Sequence, residues 1–167
     1  MESTESLFLS LIRQHQAIIH KISKMYMNDV EQQRDLFQEI VLQLWKGYPG
    51  FKEKSKFSTW MYRVALNTAL VYFKKDKRKV NHVPLDENLE VIDINDSNIK
   101  EEKLAYLYKA VHELNAVEKA LIFLFLENQS HREIAENLGI SEVNARVKLN
   151  RTKEKLQFII KRNGYEF

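Results

Sequence analysis

The chain has no cysteine, two prolines, four glycines, and no apolar run of membrane-spanning length in its 167 residues. Without thiols there is neither a disulfide framework nor a thiolate metal site. With so few backbone breakers, long helices are favoured and an all-α fold is expected. A Gly-rich nucleotide loop, a Ser/His/Asp set and a cluster of carboxylates with histidine at ligand spacing are also missing, so neither catalysis nor a cofactor is expected. His15 and His20 lack a second ligand at metal spacing and read as solvated or hydrogen-bonded structural histidines. The N-terminal stretch MESTESLFLSLIRQH is acidic before a short apolar segment and has no basic n-region. A cytoplasmic protein without membrane insertion is the expectation.

Net charge is only +3, but it is segregated. Ten Lys or Arg against two carboxylates fall between Lys46 and Lys79, and seven carboxylates against Lys100 between Asp86 and Glu102. That pattern predicts a basic binding surface followed by an acidic connector.

Apolar spacing predicts helices from Ser3 or Thr4 to Tyr26, as one helix or two, and from Val30 to Trp45 with Leu36, Phe37, Ile40 and Leu44 inward. On the second helix Asp35, Gln38 and Glu39 surround Leu42 on the outer face. An apolar side chain centred among carboxylates suits docking to a basic protein, although a lone exposed leucine needs no explanation. Gly47 to Gly50 ends this helix, and the Lys-rich loop after it carries Lys52, Lys54 and Lys56 between Phe51 and Phe57. Ser55 or Ser58 is positioned to start the next helix.

That helix, Phe57 to Lys79, is predicted to bury Phe57, Met61, Val64, Ala65, Thr68, Val71 and Tyr72. A second stripe, Thr59, Trp60, Arg63, Asn67, Lys74 and Arg78, combines an aromatic plane, an amide and three cations. Two readings fit it: a charged face beside a buried Trp, or an edge offering cations to phosphate, an amide to bases and a ring for stacking. The loop before it reads either as an ordinary interhelical loop or as a clamp for an unstacked base.

Periodicity fails from residue 80 to 98, which reads as a linker; a strand over 89–94 would have no evident partner. Helices resume at Ile99, with Leu104, Leu107, Val111 and Leu114 on one face. Asn115 with Glu118 and Ser130 with Glu133 are capping-box pairs. The nearly all-apolar helix 116–127 must be buried on most sides. HREIAENL, Gly139, then a helix capped by Ser141 and running to about Lys161, form a helix-turn-helix, with Ala135 at the close approach. Ile134, Leu138, Ile140 and Leu149 supply its core. Glu142, Asn144, Arg146, Lys148 and Arg151 stand on the outer face of its second helix, where a recognition helix would reach base edges and phosphates; the other reading is a charged amphipathic hairpin used only for packing.

These motifs resemble the extracytoplasmic-function (ECF) subfamily of bacterial sigma-70-type sigma factors over nearly the whole chain. Region 2 is matched by DLFQEIVLQLW at 35–45 and FSTWMYRVALNTA at 57–69. Region 4 is matched by LNAVEKALIFLFLENQSHREIAENLGISEVNARVKLNRTKEKL at 114–156. The resemblance implies two small helical domains, 1–79 and 99–167, joined by an acidic linker over 80–98, with core RNA polymerase and promoter DNA as partners.

It further implies that Asp35, Gln38, Glu39 and Leu42 dock on the clamp helices of the polymerase largest subunit. Lys52, Lys54, Lys56, Phe57, Thr59, Trp60, Arg63, Asn67, Lys74 and Arg78 would capture the non-template single strand of the minus-10 element. Ser141, Glu142, Asn144, Arg146, Lys148 and Arg151 would read the minus-35 duplex. The linker would run through the polymerase cleft, and an anti-sigma protein would be a further partner. Where the family often has Gly-Thr-Val, this chain has Val143-Asn144-Ala145; where it often has Ala-Arg-Asn, this chain has Ala65-Leu66-Asn67. The competing reading is a stand-alone helix-turn-helix regulator with an N-terminal sensor or dimerisation domain.

Overall fold

The computed structural model describes the backbone of residues 3–53, 55–79 and 99–164, and within these all side chains except those of 76–79 and 99–100. Lys54, the Arg78 side chain, the linker and the strand considered within it lie outside the described residues.

The order is α1 (Thr4–Tyr26), α2 (Val30–Gly47), a 3-10 turn (Tyr48–Gly50), α3 (Phe57–Lys79), α4 (Ile99–Val111), α5 (Ala116–Leu126), α6 (His131–Leu138) and α7 (Glu142–Arg162). The expected all-α class holds among the described residues. Helix α1 is a single helix, capped by the Ser3 side chain accepting from the Ser6 N–H. Asp29 caps α2 in the same way through the Gln32 N–H. Helix α3 begins at Phe57, and the Lys56 carbonyl accepts the Trp60 N–H at 3.2 Å, so the cap position falls on Lys56 and not on Ser55 or Ser58.

Helices α1, α2 and α3 form one bundle around Ile12, Ile19, Ile22, Leu36, Ile40, Leu44, Met61 and Ala65. Phe37 is half-buried and its ring stacks on His20 at 4.5 Å, while His15 lies 5.6 Å from the Phe57 ring. Both histidines thus lie against rings, His15 half-buried and His20 exposed. Helices α4 to α7 form the second half around Ala110, Val111, Leu114, Leu124, Ile134 and Leu149. Leu104 departs from its predicted inward position and is 46% exposed, because burial in α4 begins only at its last turn.

The two halves share a continuous core. The cause is α5, whose Ala120, Leu121, Ile122, Phe123 and Leu124 are all buried. A helix apolar on most sides needs a covering layer on each, and its own half supplies only part of it. The remaining cover comes from α1 and α3. Tyr62 packs on Phe123 at 5.9 Å between ring centres, and the Tyr26 hydroxyl donates to the Ala116 carbonyl at 2.7 Å. Between them Lys119 is 2% exposed, its ammonium 4.3 Å from the Phe73 ring centre and 5.5 Å from that of Tyr26. Aromatic faces offer a cation partial compensation for lost water.

Covering α5 also rotates α3 from its predicted orientation. Tyr62, Leu66 and Ala69 are buried, whereas Val71 is 55% exposed. Period alone locates one apolar stripe and cannot show that a second half will claim an adjacent one.

Polar contacts border the joint. The Glu127 carboxylate accepts from Lys21 Nζ and from the Tyr62 hydroxyl, each at 3.0 Å. Burial, then the Glu127 charge, pushes the Tyr62 phenol well up. On the other side His112 Nε2 lies 2.8 Å from the Lys24 carbonyl. Burial pulls the His112 imidazole below its ordinary value, against that hydrogen bond, and the Lys119 and Lys24 charges pull it further. The folded chain therefore binds fewer protons than the unfolded chain just below the ordinary histidine pKa of about 6.5. Stability should fall as pH drops through that value, and His112→Gln should flatten the dependence, as urea unfolding between pH 7.5 and 5.5, roughly one unit on either side, would show.

Candidate nucleic-acid and protein interfaces

The predicted outer face of α2 is where the sequence placed it. Asp35 and Gln38 are exposed, and Glu39 is half-buried with its carboxylate accepting from Gln43 Nε2 at 2.9 Å. Leu42 is 43% exposed and is not isolated. It borders a shallow cavity of about 540 Å³ between α1 and α2, together with Phe8, Leu9, Phe37, Val41 and Trp45. Leu9 and Trp45 were missed from sequence. Their signal was present: both are large apolar residues off the buried stripe of their own helix, one on each of two helices that pack together. Clustered with Leu42 they form an apolar patch rimmed by carboxylates, the composition of a protein-docking surface.

The loop and the start of α3 are organised by four rings. Trp60 lies 5.2 Å from Phe51, 5.5 Å from Phe57 and 6.5 Å from Tyr48 between ring centres. Gly47 permits this packing, since a Cβ there would stand 3.3 Å from Trp60 Cζ2. Phe57 is only 8% exposed and Trp60 is half-buried, so in this conformation these rings hold the loop down. Of the remaining stripe, Arg63, Asn67 and Lys74 are exposed and Thr59 is half-buried, with Lys52 and Lys56 exposed on the loop beside it. The structure thus divides the predicted set into an aromatic support and an accessible edge of amide and cations.

In the second half, both predicted capping boxes form, at Asn115 with Glu118 and at Ser130 with Glu133. Gly139 adopts the left-handed backbone, φ 69°, that turns α6 into α7 at little steric cost. Ala135 is buried at the close approach, and Ile134 and Leu149 are buried between the helices, with Leu138 and Ile140 half-buried. Ser141 caps α7 by accepting from the Asn144 N–H at 3.1 Å. Glu142, Asn144, Arg146, Lys148 and Arg151 are all exposed, and Arg146 reaches Glu142 at 3.9 Å.

The predicted cations of the two halves also meet. Lys74 of α3 and Lys148 and Arg151 of α7 line one open cleft of about 490 Å³, above Phe73, Ala116 and Leu121. Among the described residues no group of three or more His, Asp or Glu is placed to hold a metal ion. None of the described helices is long and apolar enough to cross a membrane.

The arrangement is a helix-turn-helix with an exposed, cation-bearing second helix, preceded by a bundle exposing an amide and cations, a combination suited to contacting nucleic acid in two places. The sigma-70 region 2 model matches residues 11–79 and the sigma-70 region 4 model residues 104–156, so between them they take in most of the chain. ECF RNA polymerase sigma factor SigX of Bacillus subtilis is 26% identical over 70% of this chain and 64% of its own length. ECF RNA polymerase sigma factor SigG of Mycobacterium tuberculosis is 44% identical over 27% of this chain and 12% of its own.

The chain thus spans 64% of the one relative and 12% of the other. ECF RNA polymerase sigma-E factor of Haemophilus influenzae is 25% identical over 74% of this chain and 71% of its own. In fold, the chain resembles the sigma factor RpoE solved with the anti-sigma factor NepR from Bartonella quintana. The TM-score is 0.73 at 18% identity, over 92% of this chain and 96% of that one. CnrH, solved with the cytosolic domain of CnrY, gives 0.68 at 16% identity, over 95% and 90%. The chain belongs to the sigma-70 family of sigma factors, in its ECF subfamily.

The ring cluster makes a prediction that separates support from contact. Trp60→Ala should lower stability to urea by about 3 kcal/mol, as loss of a packed ring does. Asn67→Ala, at an exposed position, should stay within about 0.5 kcal/mol of the parent.

Proposed function

We propose that this protein is a promoter-specificity factor that acts without catalysing a reaction, in the cytoplasm, by joining core RNA polymerase and directing it to particular promoters. The observation that carries the reading is the occurrence, in family order, of a docking face around Leu42, an accessible edge around Asn67 and a capped recognition helix at Glu142. In this reading residues 1–79 and 99–167 are two modules joined by 80–98. Asp35, Gln38, Glu39 and Leu42 meet the polymerase, and Leu9 and Trp45 enlarge the apolar centre of that contact.

Lys52, Lys54, Lys56, Arg63, Asn67, Lys74 and Arg78 hold the non-template strand of the minus-10 element. Thr59 flanks this edge, while Trp60 and Phe57 brace the loop that closes on the bases. Each captured base contributes about 1–3 kcal/mol, comparable with the roughly 1.4 kcal/mol of stacking per step that opening removes. Strand separation then needs no nucleotide hydrolysis. Ser141, Glu142, Asn144, Arg146, Lys148 and Arg151 face the minus-35 duplex.

Elements named for positions 10 and 35 lie about 25 base pairs apart, some 85 Å of B-DNA at about 3.4 Å per base pair. A chain whose Lys74 and Arg151 line one cleft cannot serve both at once. The α5 joint therefore opens when polymerase and promoter bind, and the closed form is the one an anti-sigma protein would retain. A stand-alone regulator is the weaker reading, because it gives the Leu42 face no task.

Transcription in vitro on a pool of genomic templates tests the reading. Core polymerase with this protein should yield promoter-specific transcripts that core alone does not, and silence across the pool would refute it. Leu42→Arg should abolish polymerase binding with helicity unchanged. Asn67→Ala should keep polymerase binding and lose most open-complex formation, measured by permanganate reactivity of unpaired thymines.

A further inference from the structure

Helix α7 buries Ala145, Leu149, Thr152, Leu156 and Ile159. At about 100° per residue, the positions opposite this face near the N-terminus are Val143, Val147 and Asn150. The cations expected to read DNA stand on either flank: Arg146 on one side, Lys148 and Arg151 on the other. The centre of the outward face, which goes deepest when such a helix enters a major groove, is therefore a pair of valines one turn apart. Val143 is 70% exposed and Val147 41% exposed.

Neither valine serves the core, and neither is favoured by helix propensity, since β-branched side chains lose rotamer freedom in a helix. Single exposed apolar residues need no account. Two β-branched residues at the tip of a recognition face, framed by cations, have one chemistry to meet in the major groove, the C5 methyl of thymine. Asn150, exposed beside them, carries the amide that pairs bidentately with adenine, the partner of thymine.

We propose that Val143 and Val147 are specificity-determining residues that seat thymine methyl groups, so that the upstream element read by α7 contains A·T pairs at the helix centre. The inference rests on the initiation reading above and adds to it a chemical class of base. A protein surface seated on the same valines is the rival, and the flanking cations favour DNA.

The test uses core polymerase loaded with the full chain and a duplex pool randomised through the minus-35 element. Bound duplexes should be enriched in thymine at one or two positions. Replacing an enriched thymine by uracil keeps the base pair and removes only the methyl, and should weaken binding about four-fold per methyl lost, as for removal of a buried methyl-sized group. Val143→Ala or Val147→Ala should bind the thymine and uracil duplexes alike.

A parent protein that binds both duplexes equally, or selects no thymine while still selecting a sequence, overturns this inference and leaves the initiation reading intact. Alanine variants that no longer join core polymerase show that the valines face protein and overturn it as well. A pool from which nothing is selected, with no promoter-specific transcripts, removes both.

Discussion

Burial of α5 is the constraint on which the rest of the arrangement depends. Its run of Ala120 to Leu124 is buried on every side, and the other three helices of its half cannot cover such a rod while also presenting α7 to solvent. The cover comes from α1 and α3, and with it come the buried Lys119 among aromatic faces, the Tyr26 hydroxyl on the Ala116 carbonyl, and Glu127 held between Lys21 and Tyr62. The joint is thus apolar at its centre and polar at its edge. Polar groups at an edge can exchange protein partners for water at small net cost, whereas an exposed apolar centre requires a new cover.

That asymmetry links folding to the proposed function. A chain closed over α5 brings Lys74 and Arg151 into one cleft, so the two surfaces proposed to read DNA cannot span a promoter. In the proposed function, opening would expose the apolar centre of the joint and so requires other surfaces to compensate. The modest net charge agrees with this logic, since a chain of +3 gains little from phosphates until polymerase adds contacts of its own. In the proposed mechanism, specificity resides in exposed side chains on rigid helices, and access to them is set by a packed joint elsewhere.

Much of this was legible in the residues. The capping boxes, Gly139 and the Leu36, Ile40, Leu44 stripe depend on local chemistry and period, which a single sequence carries, and the structure has them where they were expected. Val71 and Leu104 were misplaced, because the second surface of α3 and the extent of α4 burial are set by distant helices. The aromatic stripe of α3 was ambiguous for a related reason. Whether Trp60 supports or contacts depends on the gap at Gly47, one turn of another helix away from anything periodicity can show. Leu9 and Trp45 escaped notice singly, and only the packing of α1 on α2 makes them a surface with Leu42.

The central claim is that one chain closes over α5 when free and opens to read two separated DNA elements. The absence of cysteine allows a direct measurement, with spin labels at Lys75→Cys on α3 and Glu154→Cys on α7, both at exposed positions. Pulsed dipolar spectroscopy should give a single short distance in the free protein. In the complex with core polymerase and promoter it should be longer by tens of ångströms, approaching the ~85 Å scale set by the spacing of the two elements. The same short distance in a transcription-competent complex would contradict the account.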